Sequence, residues 1–228
     1  MIDHYDWAGG REAMLRFGPA GGPVVVMLPA LFEEHNRTRS FAVTICRMLA
    51  DRGVASVLPD LPGQGESMMP TQDATLDGWR DALKSVVEAQ RALNPVLVAS
   101  MRGGSIVNSE DGVCGHWRLS PITGQTLLRD LMRAQAVAGD DLVGQGDQTI
   151  EAAGNVISRV MADALAANVV FGPTSAPLRT IRLESDPAPA DLKLPGVPLW
   201  RRAEPGNDPA LAGLLADDLA DWVRQCVT

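Results

Sequence analysis

The stretch that decides the fold is Pro95-Val96-Leu97-Val98-Ala99-Ser100-Met101-Arg102-Gly103-Gly104. Its apolar run predicts a strand that is buried on both faces of a parallel sheet. The small residues Ala99 and Gly103, with Gly104 beside them, allow the chain to turn sharply where that strand ends. The pattern small-x-x-x-small places Met101 midway between them. The stretch therefore predicts a strand that leads into a tight turn centred on Met101.

Strands and helices alternate along the rest of the chain. Residues 24–28 are a further continuous apolar run, residues 54–58 predict another buried strand, and apolar residues recur at helical spacing over residues 41–52 and 76–93. Strands are also predicted at 13–17, 113–117, 179–183 and 197–200, helices at 124–138, 160–167 and 209–227, and a loop at 29–39. This order predicts an α/β fold with a doubly wound, mostly parallel sheet joined by right-handed crossovers.

The alternation breaks directly after the tight turn. Residues 103–112 leave room for about two helical turns, and residues 108–112 have the composition of a turn, so we expect a shortened helix here. Residues 124–168 add a small helical insertion, or cap, with an acidic loop at 139–146 that we expect to be mobile. We expect residues 1–228 to form a single domain that includes this insertion.

Composition restricts the partners and the compartment. The chain has 28 acidic and 20 basic side chains and a formal net charge of −8, which argues against a nucleic-acid partner. Its 3 cysteines are widely spaced, as in proteins with reduced thiols rather than disulfides or a metal site. No segment resembles a signal peptide, and none approaches the roughly 18 apolar residues of a membrane span. We expect a soluble cytoplasmic protein with no cofactor, no metal and no membrane contact.

Three further motifs resemble those of a known family. Residues 60–67 read DLPGQGES, which matches the D-x-x-G-x-G-x-S loop of the α/β-hydrolase superfamily. Residues 28–39 resemble the H-P-x-x-E-E-x-N-x-x-R loop of the exosortase A system-associated hydrolases of Gram-negative bacteria, with Pro29 where that family often has histidine. Residues 117–124 resemble the same family's W-x-P-x-x-x-G segment, with a different spacing on either side of the proline. The chain therefore resembles the α/β-hydrolase superfamily over most of its length, and within that superfamily it looks most like these bacterial hydrolases.

The resemblance implies where a catalytic triad would lie. In this superfamily the nucleophile lies in the tight turn, an acid follows a late strand, and a histidine follows the last strand. Those positions fall on Met101, Asp186 and Asn207, although Asp186 also fits a turn before a proline. A thioether cannot attack a carbonyl in a hydrolytic cycle, and asparagine is no general base at neutral pH. In one branch of the family the turn reads GLRLG, so a missing nucleophile has a precedent.

Ser100 and His35 offer an alternative catalytic pair. Ser100 lies one residue before the predicted centre of the turn and would be the nucleophile in a shifted register. His35 lies in the segment 28–39, where it would act as the base. The backbone amide of Leu31 in that segment would face the amide of Arg102 and form an oxyanion hole.

Charged residues in the same segment admit two interpretations. Glu34 and Arg37 belong to a dense run of charge that follows Leu31. Such a run is typical of a salt-bridged loop, which here would pack on the tight turn. It is also suited to a polar ligand site above the turn, in which Arg102 and Arg37 would receive an anion.

These observations favour a hydrolase-like protein without a Ser-His-Asp mechanism. We expect a binding or accessory factor for a small-molecule or acyl ligand, and the resemblance implies a link to exopolysaccharide and exosortase systems. The alternative is an active esterase or thioesterase that uses Ser100 and His35. A third interpretation is a structural partner subunit or homodimer, because a shortened helix would leave part of the sheet for another chain to cover.

Overall fold

The computed structural model describes residues 1–107, 112–138, 148–167 and 175–228, and an eight-stranded sheet lies at the centre of this part of the chain. The strands are β1 (Ile2–Trp7), β2 (Gly10–Phe17), β3 (Val24–Leu28), β4 (Ala55–Pro59), β5 (Val96–Met101), β6 (Gly115–Leu119), β7 (Thr149–Ala152), β8 (Asn155–Ser158), β9 (Leu178–Leu183) and β10 (Leu192–Leu194). The order in the central sheet is β1-β2-β4-β3-β5-β6-β9-β10, and β7 pairs with β8 in a separate antiparallel hairpin. Strand β2 is antiparallel to both of its neighbours, β1 and β4. The other six strands of the central sheet, β4, β3, β5, β6, β9 and β10, run parallel to one another.

Five helices flank the sheet within the described residues. They are α1 (Glu33–Asp51), α2 (Leu76–Arg91), α3 (Gly124–Ala138), α4 (Arg159–Ala167) and α5 (Pro209–Val227). One apolar core joins the sheet to α1 and α5, and a second joins its other face to α2, α3 and α4. Strands β3 and β5 contribute alternate residues to both cores, because successive side chains of a strand point to opposite faces. The sequence-based prediction of a doubly wound, mostly parallel α/β sheet is confirmed.

Several predicted elements have different bounds in the structure. Strand β1 was not predicted, and the loop predicted at 29–39 is wrong, since α1 begins at Glu33. The two acidic residues at its start suit the positive end of the helix dipole. The strand predicted at 197–200 is also wrong, because Pro198 leads into a 3-10 turn at Leu199–Arg201 and the last strand is β10.

The insertion follows the sequence-based prediction in outline. The helices predicted at 124–138 and 209–227 have those bounds, and the hairpin of β7 and β8 lies between the two helices of the insertion. The acidic loop predicted at 139–146 lies outside the described residues, as do residues 108–111 of the predicted turn. No helix in the described part of the chain combines the length and the apolar character needed to cross a membrane.

The turn after β5 positions the candidate site. A five-residue 3-10 helix, Arg102–Ile106, follows the strand, so the expected shortening of the helix is present. This turn lies against the end of β3: a Cβ atom on Gly104 would be 2.3 Å from the carbonyl oxygen of Pro29 and 3.0 Å from that of Leu28. The turn after β5 and the end of β3 therefore lie so close together that only glycine fits at position 104.

The first prediction tests this close approach. Gly104→Ala should lower the free energy of unfolding by about 2 kcal/mol, because backbone on both sides must move to admit a methyl group. Gly213→Ala in α5 is the matched control, since its Cβ would meet only the Met48 sulfur at 3.9 Å. It should stabilise the protein by about 0.5–1 kcal/mol through helix propensity. Equal effects in urea unfolding would contradict the proposed packing of the turn.

Candidate functional site

The tight turn is centred on Arg102. The backbone of Arg102 has a φ of 52°, a region that non-glycine residues occupy rarely and that a sharp strand-to-helix turn requires. Met101 is the last residue of β5, and its side chain is fully buried in the core that contains α1 and α5. The register predicted around Met101 is therefore wrong by one residue. The small positions fall on Ser100 and Gly104, with Arg102 between them.

A carboxylate, a carbonyl and an indole ring hold the Arg102 side chain. Its Nη2 and Nε donate to the Glu34 carboxylate at 2.8 and 3.1 Å, and both side chains are buried. Its Nη1 donates to the carbonyl oxygen of Ser120 at 3.3 Å, and its guanidinium lies 4.8 Å from the centre of the Trp200 ring. One arginine therefore joins α1, the end of β6 and the segment after β10.

Unusual backbone conformations surround this arginine. Phe32, Arg102 and Ser120 have φ values of 54°, 52° and 44°. Phe32 is the N-cap of α1, two residues before Glu34, and Ser120 follows β6 and supplies the carbonyl that Arg102 binds. Each such residue costs about 1–3 kcal/mol, and they concentrate at functional sites of proteins. The segments that follow three neighbouring parallel strands, β3, β5 and β6, are therefore strained at one place in the structure.

The other charged residues of the segment 28–39 have partners of their own. Arg37 binds Glu33 at 3.1 Å and donates to the carbonyl oxygen of Trp200 at 3.2 Å. Because Arg102 is paired with Glu34 and Arg37 with Glu33, neither guanidinium is left open to receive an anion, as one interpretation of the sequence required. The charged segment matches the salt-bridged alternative, in which it packs on the turn.

Asp186 lies after β9, in the position expected of the triad acid, and its partner is an arginine. Its carboxylate accepts hydrogen bonds from Arg182 Nη1 at 2.7 Å and from the amide of Ala188 at 3.0 Å. Burial raises the pKa of Asp186, but these hydrogen bonds and the charge of Arg182 outweigh burial and hold the pKa below its usual range. The carboxylate is ionised and bound to Arg182.

Asn207, at the predicted histidine position, is exposed and donates to Thr44 Oγ1 of α1 at 3.0 Å. The residue after the last strand that contacts the centre of the turn is Trp200. The sequence analysis missed Trp200 as a site residue because it placed the last strand at 197–200, which moved the segment expected to carry the histidine beyond it. The proline at position 198 was the available signal against that strand.

His35 is part of a different network. It lies in the first turn of α1, with Nε2 3.2 Å from Arg39 Nη1, and Arg39 binds both oxygens of Asp60. Burial and the charge of Arg39 lower the pKa of His35 to about 4, so its ring is neutral at pH 7. Asp60 also accepts from the amide of Glu66 at 3.3 Å. His35 therefore belongs to a network that links α1 to the loop at residues 60–67.

The alternative pair, Ser100 and His35, is not hydrogen-bonded. The Ser100 hydroxyl is buried and has no hydrogen-bond partner among the described residues. Leu31 is buried, and its side chain lies 3.3 Å from a Cβ built on Gly103, which places its segment beside the turn. The neighbouring amide of Phe32 donates to Gln64 Oε1 at 2.7 Å. The oxyanion role of the Leu31 and Arg102 amides stays a prediction.

Two adjoining clefts lie above Arg102, with volumes of about 330 and 360 Å³. Arg102, Asp130 and Trp200 line both of them, and α3 of the insertion forms a shared wall. These volumes fall at the lower end of those of small-molecule sites. In the described ranges, no group of three or more His, Cys, Asp or Glu side chains is placed to hold a metal ion. The site is therefore a polar cleft above a turn whose central side chain, Arg102, is bound to other residues of the protein.

The second prediction concerns the buried ion pair. Glu34→Gln should lower the free energy of unfolding by about 3 kcal/mol, because it removes the close counter-ion of the buried Arg102 and leaves only the Asp130 carboxylate, at 4.0 Å. Glu33→Gln removes the neighbouring, more exposed carboxylate and should cost less than about 1 kcal/mol. A double variant with Glu34→Leu and Arg102→Met should recover most of the lost stability. Similar losses for the two single variants in urea unfolding would show that the pair is not decisive.

The third prediction concerns pH. Because the pKa of His35 is about 4 in the folded protein and near 6.5 in an unfolded chain, the unfolded state binds more protons between these values. Stability should therefore fall as the pH is lowered from 6.5 to 5. His116, whose pKa burial and Arg118 also lower to about 4, should contribute in the same direction. His35→Gln should reduce the slope of unfolding free energy by about 1.4 kcal/mol per pH unit. Equal slopes for the wild type and His35→Gln would contradict the assignment.

Comparison with known proteins places this geometry in a wider class. No protein-family model matches the chain, and no curated protein sequence matches it significantly. Its structure is similar to Est1E from Butyrivibrio proteoclasticus (14% identity, TM-score 0.65, 99% of this chain and 98% of that one). It is also similar to α/β-hydrolase domain-containing protein 10 from mouse (15%, 0.66, 99% and 99%) and α/β-hydrolase GrgF from a Penicillium species (14%, 0.64, 99% and 98%). At these identities the similarity concerns the fold, and this chain has the α/β-hydrolase fold.

Proposed function

We propose that this protein is a non-catalytic member of the hydrolase fold, which acts by binding a ligand or a partner. The observation that carries the proposal is the side chain at the centre of the tight turn. Arg102 occupies the conformation in which hydrolases of this fold present their nucleophile. A guanidinium remains protonated in proteins and has no lone pair for attack on a carbonyl. Its bonds to Glu34 further commit it to a structural role.

The surroundings of Arg102 support the same conclusion. The side chain that packs on the Arg102 guanidinium is Trp200, and an indole donates a hydrogen bond but cannot act as a base. The carboxylate that would orient such a histidine is Asp186, which is bound to Arg182. Triad residues act as a unit, so the replacement of all three functions removes hydrolytic catalysis rather than weakening it by small steps.

An esterase or thioesterase that uses Ser100 is the second candidate. The observation in its favour is the buried Ser100 hydroxyl, which has no hydrogen-bond partner in the described part of the chain. Against it stand the burial of both Ser100 and His35 and the absence of a hydrogen bond between them. A buried serine without a base nearby has no means of losing its proton during attack.

The proposed link to exosortase and exopolysaccharide systems rests on the resemblance of residues 28–39 and 117–124. The structure gives the first of these segments a physical role, since its Glu34 is the counter-ion of Arg102. An arginine in the turn and a glutamate in this segment form a single interaction. We propose that this interaction distinguishes the non-catalytic form of the fold from its hydrolytic relatives.

A cytoplasmic location and a homodimer stay predictions. The argument for a dimer assumed that the shortened helix leaves part of the sheet open near Trp117 and Trp200. Both tryptophans are buried, and Ile106 and Leu127 are among the residues that cover the opposite core next to the turn. Within the described residues the sheet beside β5 is therefore covered by the chain itself, which favours the binding-protein interpretation over the partner-subunit one.

The fourth prediction tests the absence of hydrolysis. Wild-type protein should hydrolyse p-nitrophenyl acetate no faster than buffer, and Arg102→Ser should not create activity, because it restores a hydroxyl without a base. A fluorophosphonate probe should label neither protein. Ser100→Ala and Ser85→Ala, which removes an exposed hydroxyl on α2, serve as a matched pair. Saturable wild-type turnover that survives Ser85→Ala and disappears in Ser100→Ala would establish the esterase alternative.

A further inference from the structure

The larger of the two clefts above Arg102 has an unusual charge for this protein. Its lining includes the arginines Arg102, Arg129, Arg133, Arg182 and Arg201 and the aspartates Asp130 and Asp186. When Glu34, which lies behind Arg102, is counted as well, the cleft carries an excess of two positive charges. The whole chain has a net charge of −8. The cleft is therefore a local concentration of positive charge on an acidic molecule.

Two of the five arginines are already occupied. Arg102 is bound to Glu34 and to the carbonyl oxygen of Ser120. Arg182 is bound to Asp186, and it also donates to the carbonyl oxygens of Pro189 at 3.2 Å and Pro121 at 3.4 Å. Both guanidinium groups are therefore engaged within the protein where they line the cleft.

The other three arginines lack comparable partners. Arg129 and Arg201 have no carboxylate within 4.0 Å in the part of the chain that the structure describes, and Arg133 reaches Asp130 only at 4.0 Å. Arg129 and Arg133 are one helical turn apart on α3, where like charges repel each other. Arg201 lies in the turn after β10, beside the Trp200 ring, and lines the same cleft. Three exposed guanidinium groups thus line one cleft, and the described residues of its lining hold too few carboxylates to neutralise them.

We propose that this cleft binds a small dianionic ligand, a phosphate monoester or a dicarboxylate, between Arg129, Arg133 and Arg201. The proposal rests on the proposed function, since it requires a turn that Arg102 and Glu34 hold closed to chemistry. A dianion matches the excess of two positive charges, and guanidinium forks bind carboxylate and phosphate oxygens in pairs. Arg37 and Arg102, the anion receptors that the sequence suggested, are excluded by their own ion pairs.

The remainder of the lining limits the size of the ligand. Ile122, Leu183, Pro187 and Pro198 add apolar surface on the side of the cleft that contains Asp186. A volume of about 360 Å³ accepts a small organic molecule rather than a polymer chain. The ligand would therefore place its charged groups against α3 and a short apolar body against these side chains.

Isothermal titration calorimetry of the full chain tests the proposal with four probes: phenyl phosphate, succinate, benzoate and neutral benzamide. We expect either dianion to bind with a Kd of about 1 mM or lower, and benzoate and benzamide to bind at least about tenfold more weakly. Phenyl phosphate in preference to succinate would identify a phosphate ester as the ligand class, and the reverse order a dicarboxylate. No binding of either dianion at about 10 mM, or equal binding of benzoate, would overturn the proposal.

A pair of charge-matched variants locates the binding. The double variant Arg129→Gln and Arg133→Gln removes two exposed charges from the cleft and should weaken dianion binding by about tenfold or more. The double variant Arg47→Gln and Arg224→Gln removes two exposed charges from α1 and α5 and should leave the Kd within about twofold. Equal weakening in both would show a nonspecific effect of net charge and would overturn the proposal. Ester turnover by the wild type would instead contradict the proposed function, and it is measured separately.

Discussion

The buried ion pair between Arg102 and Glu34 is the constraint on which the candidate site depends. A guanidinium removed from water must be paired, because an isolated charge in a protein interior is strongly unfavourable. Its pairing requires α1 to begin immediately after β3, which the backbone of Phe32 achieves at a positive φ. It also requires the turn after β5 to place Arg102 at a positive φ, and the carbonyl of Ser120 to face it. The strain at three strand ends and the ion pair are therefore parts of one arrangement.

This arrangement is the basis of the proposal that the hydrolase fold is kept here without hydrolytic chemistry. In a hydrolase the tight turn presents a hydroxyl to a substrate and leaves a space above it. Here the longer side chain of Arg102 fills that space, and Trp200 packs over the guanidinium. The strained turn then serves stability, because Arg102 gains a carboxylate, a carbonyl and an aromatic partner from three separate segments. In the proposed non-catalytic protein, the missing base and the ion pair between Arg102 and Glu34 belong to one arrangement.

The fold was more readily predicted than the site, for a physical reason. Buried strands such as β3 and β5 can be recognised as apolar runs, and α5 can be recognised by the helical spacing of its apolar residues. Both patterns depend only on the local sequence. The centre of the turn depended on a one-residue register that two adjacent glycines left open. Phe32, Arg102 and Ser120 have positive φ values that glycine usually adopts. Because none of them is a glycine, the sequence does not indicate where the backbone is strained. Contacts such as Arg102 with Trp200 join residues that are distant in the chain, and no local pattern reports them.

The distribution of charge has a consequence for ligand selection. An acidic molecule repels anions at long range, while the arginine-lined cleft attracts them at short range. At physiological ionic strength the repulsion is screened beyond about 8 Å, so a small anion can approach the cleft and then meets its guanidinium groups directly. A large polyanion still contacts the acidic surface around the cleft and gains little from a few arginines. The proposed selectivity for small anions over nucleic acids therefore follows from the placement of the arginines.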